Sequence, residues 1–128
     1  MRYSRETWSI DLPEGWEVEE TDECIIVFHP DKLGAFQVSS YYKEEGVVSR
    51  EDLITFAETE DVADVELPHL KGLTQTLPAD EDGFILTQWW LSWQSELIFV
   101  TYACEESHIE AESADRDALI NSLQPIVQ

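Results

Sequence analysis

Apolar and polar residues alternate with period two along the first part of the chain. Trp8-Ser9-Ile10-Asp11-Leu12 and Trp16-Glu17-Val18-Glu19 both follow this pattern, which predicts two half-buried strands. Pro13-Glu14-Gly15 turns the chain between them, because Pro presets the second turn position and Gly accepts a positive φ. After a polar turn at 20–23, Cys24-Ile25-Ile26-Val27-Phe28-His29 runs without a polar break, as a strand covered on both faces would. A loop at 30–34 leads to a strand over 35–42, with Phe36, Val38, Ser40 and Tyr42 on one face.

The period then lengthens. Ser49-Arg50-Glu51-Asp52 opens like a capping box, with Asp where Glu or Gln is preferred, and Leu53, Ile54, Phe56 and Ala57 follow at helical spacing. A helix over about 49–60 is expected, with Glu51 and Asp52 favourably placed in its first turn. Residues 58–66 read as an acidic loop. Residues 68–77 predict a strand ended by Pro78, and Asp80-Glu81-Asp82-Gly83 a turn. The apolar runs 84–93 and 96–104, separated by Gln94-Ser95, predict a long hairpin. From 107 to 123 the helical period returns through Ile109, Ala114, Ala118, Leu119, Ile120 and Leu123, and Pro125 prevents continuation.

The order is thus four strands, helix, three strands, helix, with hairpin-length connections. It predicts an α+β fold: an antiparallel sheet of six to seven strands with helices packed on it, an α/β/α sandwich. Along 84–93, Ile85, Thr87, Trp89, Leu91 and Trp93 share one face and Phe84, Leu86, Gln88, Trp90 and Ser92 the other. Both faces are apolar, which calls for cover on both sides, one helix per face. The alternative is one covered face and one exposed aromatic platform.

Length and charge narrow the function. The 128 residues make one domain, 1–128, able to bury roughly 65–70% of its unfolded surface without metal or disulfide. There are 28 acidic residues against 7 basic, a formal net charge of −21. Neutralising phosphate needs Lys and Arg, so nucleic acid is not an expected partner, and an anionic membrane is disfavoured for the same reason. No stretch approaches the ~18 apolar residues of a membrane span, and the first residues lack a signal-peptide core, so a cytoplasmic location is expected. Cys24 and Cys104 lie in strand-like runs outside any metal-binding spacing, and in that compartment would be reduced, buried thiols.

Trp8-Ser9-Ile10-Asp11-Leu12-Pro13-Glu14-Gly15-Trp16 resembles the start of PsbP-like domains: a strand, a Leu-Pro-x-Gly-Trp turn and a second strand. The end is similar too, with Val100-Thr101-Tyr102 in a late strand and a terminal helix closing on Asn121-Ser122-Leu123. That superfamily includes photosystem II extrinsic subunits, a yeast Ran-release factor, bacterial chaperones of secreted Rhs toxins and many small uncharacterised bacterial domains, which this chain resembles most. The resemblance implies a largely non-enzymatic binding module and transfers no site residue.

Catalytic chemistry finds no motif. There is no Gly-x-Ser-x-Gly elbow for a Ser/His/Asp set, and apolar surroundings would raise the cysteine pKa values rather than activate a thiol–histidine dyad with His29, His69 or His108. Asp61, Asp64, Glu66 and His69, and separately Glu105, Glu106, His108 and Glu110, are the two clusters with metal-ligating side chains, but neither has an established ligand order. No metal, cofactor or catalytic residue is therefore expected. The leading expectation is a protein-binding module, immunity-type or chaperone-like, engaging a partner with a basic surface through Trp89, Trp90, Trp93, Tyr41 and Tyr42. The alternative is a small-molecule-binding or enzymatic domain with an aromatic pocket near Trp89, Trp90 and Trp93. A third possibility is that the acidity is adaptation to salt.

Overall fold

A computed structural model describes residues 2–22, 24–31 and 34–126; the expected turn at 20–23 and loop at 30–34 therefore lie partly outside the described residues. Among the described residues, ten strands and two α-helices follow in the order β1 (Arg2–Ser4), β2 (Trp8–Asp11), β3 (Glu17–Glu20), β4 (Ile25–Phe28), β5 (Ala35–Tyr42), α1 (Arg50–Ala57), β6 (Ala63–Glu66), β7 (Lys71–Leu77), β8 (Phe84–Trp93), β9 (Glu96–Glu105), α2 (Ser113–Ser122) and β10 (Gln124–Pro125). Seven strands form one antiparallel sheet in the order β3-β4-β5-β9-β8-β7-β6, and β1-β2-β10 form a small second sheet. The fold is α+β, with the longest strands, β8 and β9, near the centre of the large sheet.

Alternation along the strands divides the apolar side chains between two cores. Ile25, Val27, Phe36, Val38, Trp89, Leu91, Ile98, Val100, Tyr102 and Cys104 face the first, where Trp8, Ile10 and Leu12 from the β2 region and Leu119, Ile120 and Leu123 from the α2 region close over them. This face is therefore covered by the small sheet and α2 together, with α2 packed on β2. On the other face α1 packs on β7 and β8 and buries Leu53 with Leu73, Trp90 and Leu97. The Ser49 hydroxyl accepts from Asp52 N–H and the Asp52 carboxylate from Ser49 N–H, so the expected capping box forms with Asp in the third position. Glu58, at φ 60°, ends the helix in the left-handed region.

α1 covers only part of its face. Toward the opposite end of the strands, the register aligns Glu17, Phe28, Ala35, Ala103, Leu86 and Leu77 in one row across six strands. Beside it run Glu19, Ile26, Gln37, Thr101, Gln88 and Gln75. One helix thus lies on each face, as expected, but the cover on the α1 side is incomplete. The expectation that β4 is covered on both sides is corrected: Ile25 and Val27 are buried, while Ile26 and Phe28 are half-exposed on the open part of the sheet. The 58–66 segment, expected as a loop, contains the edge strand β6, paired to β7 from Ala63↔Thr74 to Glu66↔Lys71. The last helix begins at Ser113 rather than 107, after a 3₁₀ turn over Glu106–His108.

Candidate functional site

The five aromatic residues nominated from sequence do not form one surface. Trp89 and Trp90 are neighbours in β8 and so point to opposite faces, where they are 7% and 3% exposed. Trp89 stands near Phe36 in the first core, with ring centroids 6.2 Å apart, and Trp90 stacks on Phe99 in the second at 5.7 Å. From opposite faces of the sheet the two cannot line one pocket, which corrects the aromatic-pocket geometry. Tyr41 and Tyr42 are exposed, again on opposite faces; Tyr41 leans on Phe56 of α1 at 4.9 Å.

Tyr42 and Trp93 do come together, around a cavity of about 210 Å³ at the β8–β9 turn. Thr7, Gln94, Ser95, Glu96 and Ile126 complete its lining. Gln94 takes φ 54°, letting the two-residue turn close, and its carbonyl accepts from Val48 N–H at 2.7 Å, which ties the loop before α1 to the same end. Glu96 pairs with Trp93 and Tyr42 in the register, on the face that carries Ile98 and Val100, so its carboxylate is turned inward and only 4% exposed. The Tyr42 hydroxyl donates to Thr7 Oγ1 at 3.1 Å, and the Thr7 hydroxyl donates to Glu96 Oε2. Glu96 Oε1 is buried with no hydrogen-bond partner among the described residues. The bond to Thr7 favours the Tyr42 phenolate, but burial, hydrogen bonding to Glu96 and the negative charges of Glu96 and Glu6 outweigh it and hold this phenol above its usual pKa. Neither Thr7 nor Glu96 was singled out from sequence. The available signal was a carboxylate at an inward position of a strand alternation, in a chain where carboxylates are common.

A second buried polar cluster is structural in character. Glu112 accepts from Gly34 N–H at 3.0 Å and from the Cys104 thiol at 3.5 Å. Burial pushes the Cys104 thiol up, and the negative charge of Glu112 adds to that, so it is a poor nucleophile. Cys24 and Cys104 are free thiols, Cys24 half-buried rather than buried. His29 packs edge-on to Trp16 at 6.0 Å and accepts from Asp31 N–H at 3.0 Å through Nδ1.

The two acidic clusters considered for metal do not converge: among the described residues no three His, Cys, Asp or Glu side chains are grouped as a metal site requires. Asp64 instead pairs with Arg50 at 2.8 Å, and Glu105 stands 3.9 Å from His108. No helix among the described residues is long and apolar enough to cross a membrane.

The remaining surface feature is the open part of the large sheet. Phe28, Ala35, Ala103 and Leu86 are half-exposed, Leu77 and Phe84 are exposed at 38% and 37%, and Glu17, Glu19 and Glu105 stand at the margins.

No protein-family model matches the chain, and no curated protein matches it in sequence. Solved structures do. A crystal structure of a protein from Bacteroides thetaiotaomicron VPI-5482 superposes with a TM-score of 0.71 at 13% identity, over 94% of this chain and 46% of that one. This chain thus spans about half the length of that protein. The solution structure of the cyanobacterial PsbP protein CyanoP, from Synechocystis sp. PCC 6803, superposes with a TM-score of 0.54 at 13% identity, over 98% of this chain and 92% of that one. The likeness covers nearly the whole of both chains, and the fold is PsbP-like.

Proposed function

We propose that this domain is a non-enzymatic module that binds another protein, and that it does so through the open part of its large sheet. The observation that carries the reading is the row Phe28, Ala35, Ala103, Leu86 and Leu77, apolar and uncovered by α1. From β4 to β7 the apolar row crosses four strand spacings, about 19 Å, which matches an amphipathic helix of about 13 residues. Carboxylates at its margins favour a partner whose apolar face is bordered by Lys and Arg. Most of the domain's own cations are already engaged: Arg2, Arg5, Lys43, Arg50 and Arg116 pair with Asp11, Glu20, Asp52, Asp64 and Asp117.

Neutralising a basic toxin and chaperoning a basic secreted effector are the two roles of this kind that suit a small acidic domain, and two free thiols suit a reducing compartment such as the cytoplasm. The test is affinity capture from the source cell with the wild-type protein and with Leu77→Asp/Phe84→Asp, both exposed positions. A basic protein retained at low salt by the wild type and lost by the double variant is the expected result. Equal recovery by both, an acidic partner or no partner would refute the proposal.

A further inference from the structure

We propose that the cavity between the start of α1 and the strands β6 and β7 binds a small zwitterion, an α-amino acid with an apolar side chain. Lys71 holds its carboxylate and Glu66 its ammonium. This inference does not rest on the open row, which lies at the other end of β7, and the two are tested separately.

In a chain with 28 acidic residues against 7 basic, a cation readily finds a carboxylate, and Arg2, Arg5, Lys43, Arg50 and Arg116 each do. Among the described residues Lys71 is the one Lys or Arg with no ion pair. The register sets it between Glu66 of β6 and Ser92 of β8. Alternation puts all three on the face of Leu73 and Trp90, where α1 lies. There they line a cavity of about 580 Å³, bounded on the α1 side by Val48, Arg50 and Leu53. Lys71 and Glu66 are both exposed, and a neighbouring groove of about 520 Å³ shares them with Ser92, so a ligand reaches the pair directly from solvent.

The charges select the ligand. Glu66 and Lys71 are directly opposed, so their Cβ atoms stand about 5 Å apart, yet no ion pair joins them. An ammonium and a carboxylate carried on one carbon present the complementary charges side by side. Asp64, the other carboxylate of the lining, is held by Arg50 at 2.8 Å and does not compete for Lys71. A simple anion would meet Glu66 and Asp64 within a molecule of net charge −21, and a simple cation would meet Lys71 and Arg50. A zwitterion is neutral overall and avoids both penalties. Ser92 Oγ and the guanidinium nitrogens of Arg50 not engaged by Asp64 can serve the second carboxylate oxygen. Val48 and Leu53 supply an apolar wall, and the volume falls within the roughly 300–1,000 Å³ of small-molecule sites, with room for a benzyl group.

The probe is L-phenylalanine, titrated into ¹⁵N-labelled protein at neutral pH and physiological ionic strength. Saturable shifts of the Arg50, Lys71, Gly72 and Ser92 amides are expected. Phenylpropanoate lacks the ammonium and phenethylammonium lacks the carboxylate. Each leaves one charge of the pair unmet and should bind about tenfold more weakly or worse. Lys71→Gln and Glu66→Gln, both at exposed positions, should cause a similar loss without threatening the fold. Arg5→Gln makes the same one-unit change of charge as Lys71→Gln but outside the cavity, and should leave affinity unchanged. L-Alanine, without the side chain that meets the apolar wall, should bind several-fold more weakly than L-phenylalanine. No saturable shift at these amides, or either single-charge analogue binding as tightly as L-phenylalanine, would overturn the proposal. So would unchanged affinity in Lys71→Gln or Glu66→Gln, or an equal loss in Arg5→Gln.

Discussion

Replacing Gly72 by alanine should be among the most damaging single-methyl changes in this domain. Gly72 lies in β7, opposite Leu91 of β8 and Val65 of β6. A Cβ there would overlap the Trp90 carbonyl oxygen and lie 2.9 Å from Leu91 Cα. Both atoms are backbone of a central strand, so no side-chain rotation relieves the overlap. Restoring van der Waals distance requires β7 to move from β8 by on the order of 1 Å. That movement strains the ladder and disturbs Leu73 and Trp90, both buried beneath α1. Overpacking costs about 1–3 kcal/mol where side chains can yield, and a backbone clash places this site at or above about 3 kcal/mol. For a domain of this size the melting temperature should then fall by about 10 °C or more. Urea unfolding followed by tryptophan fluorescence measures the loss at constant m-value. Gly46→Ala is the control: Gly46 has φ +78° with nothing within 4 Å of a new Cβ, so it carries backbone strain alone, about 1 kcal/mol. If Gly72→Ala costs no more than Gly46→Ala, the close approach of β7 to β8 is wrong.

Two further outcomes follow from buried and capping groups. Tyr102 is fully buried; the Cys104 thiol acts on its hydroxyl through hydrogen bonding and charge, but no hydrogen bond of good geometry forms there among the described residues. Tyr102→Phe should therefore leave the urea midpoint unchanged or raise it, and a loss above about 1 kcal/mol would show the hydroxyl to be bonded. The Asp52 carboxyl is held at about 2, against an ordinary 3.8, first by Lys43 and then by the Ser49 N–H. Its folded-state pKa is depressed, so its contribution is present above about pH 4 and is lost as pH falls through about 2. Amide exchange in α1 should accelerate over that window in the wild type and lose this pH dependence in Asp52→Asn.

Strong, uninterrupted patterns were legible in the sequence. The bounds of β5 and β8 follow from their alternating and apolar runs, and the start of α1 from its capping box, although the helix ends at Ala57 rather than near 60. β6 was hidden because it is an edge strand. Asp64 and Glu66 on its backbone guard an open edge, and that composition reads locally as loop. Ile109 extended the helical period toward 107 although it sits in turns, half-buried without helix around it. The apolar run of β4 signalled two apolar faces, but periodicity cannot say whether the second meets a core or solvent. Here Phe28 and Ile26 reach the open row. The same limit applies to the candidate sites. That Trp89 and Trp90 diverge follows from strand geometry, whereas the meeting of Thr7 with Glu96 spans 89 residues and depends on the chain's tertiary path.

The open apolar row and the acidity constrain each other. An uncovered sheet face on a small domain invites stacking of identical copies, and unprotected edge strands invite pairing. Here β3 ends one edge with Glu17, Glu19 and Glu20, and β6 the other with Asp64 and Glu66. Two copies approaching by either route bring these carboxylates together under a charge of −21 each, most strongly at low salt. The charge that makes phosphate polymers unexpected partners thus also opposes self-association of the row. An occupant must match the apolar row and reverse the sign at its margins, and a second copy of this chain meets only the first requirement. A basic partner meets both, and the attraction that steers it on would weaken with added salt while the apolar contact persists.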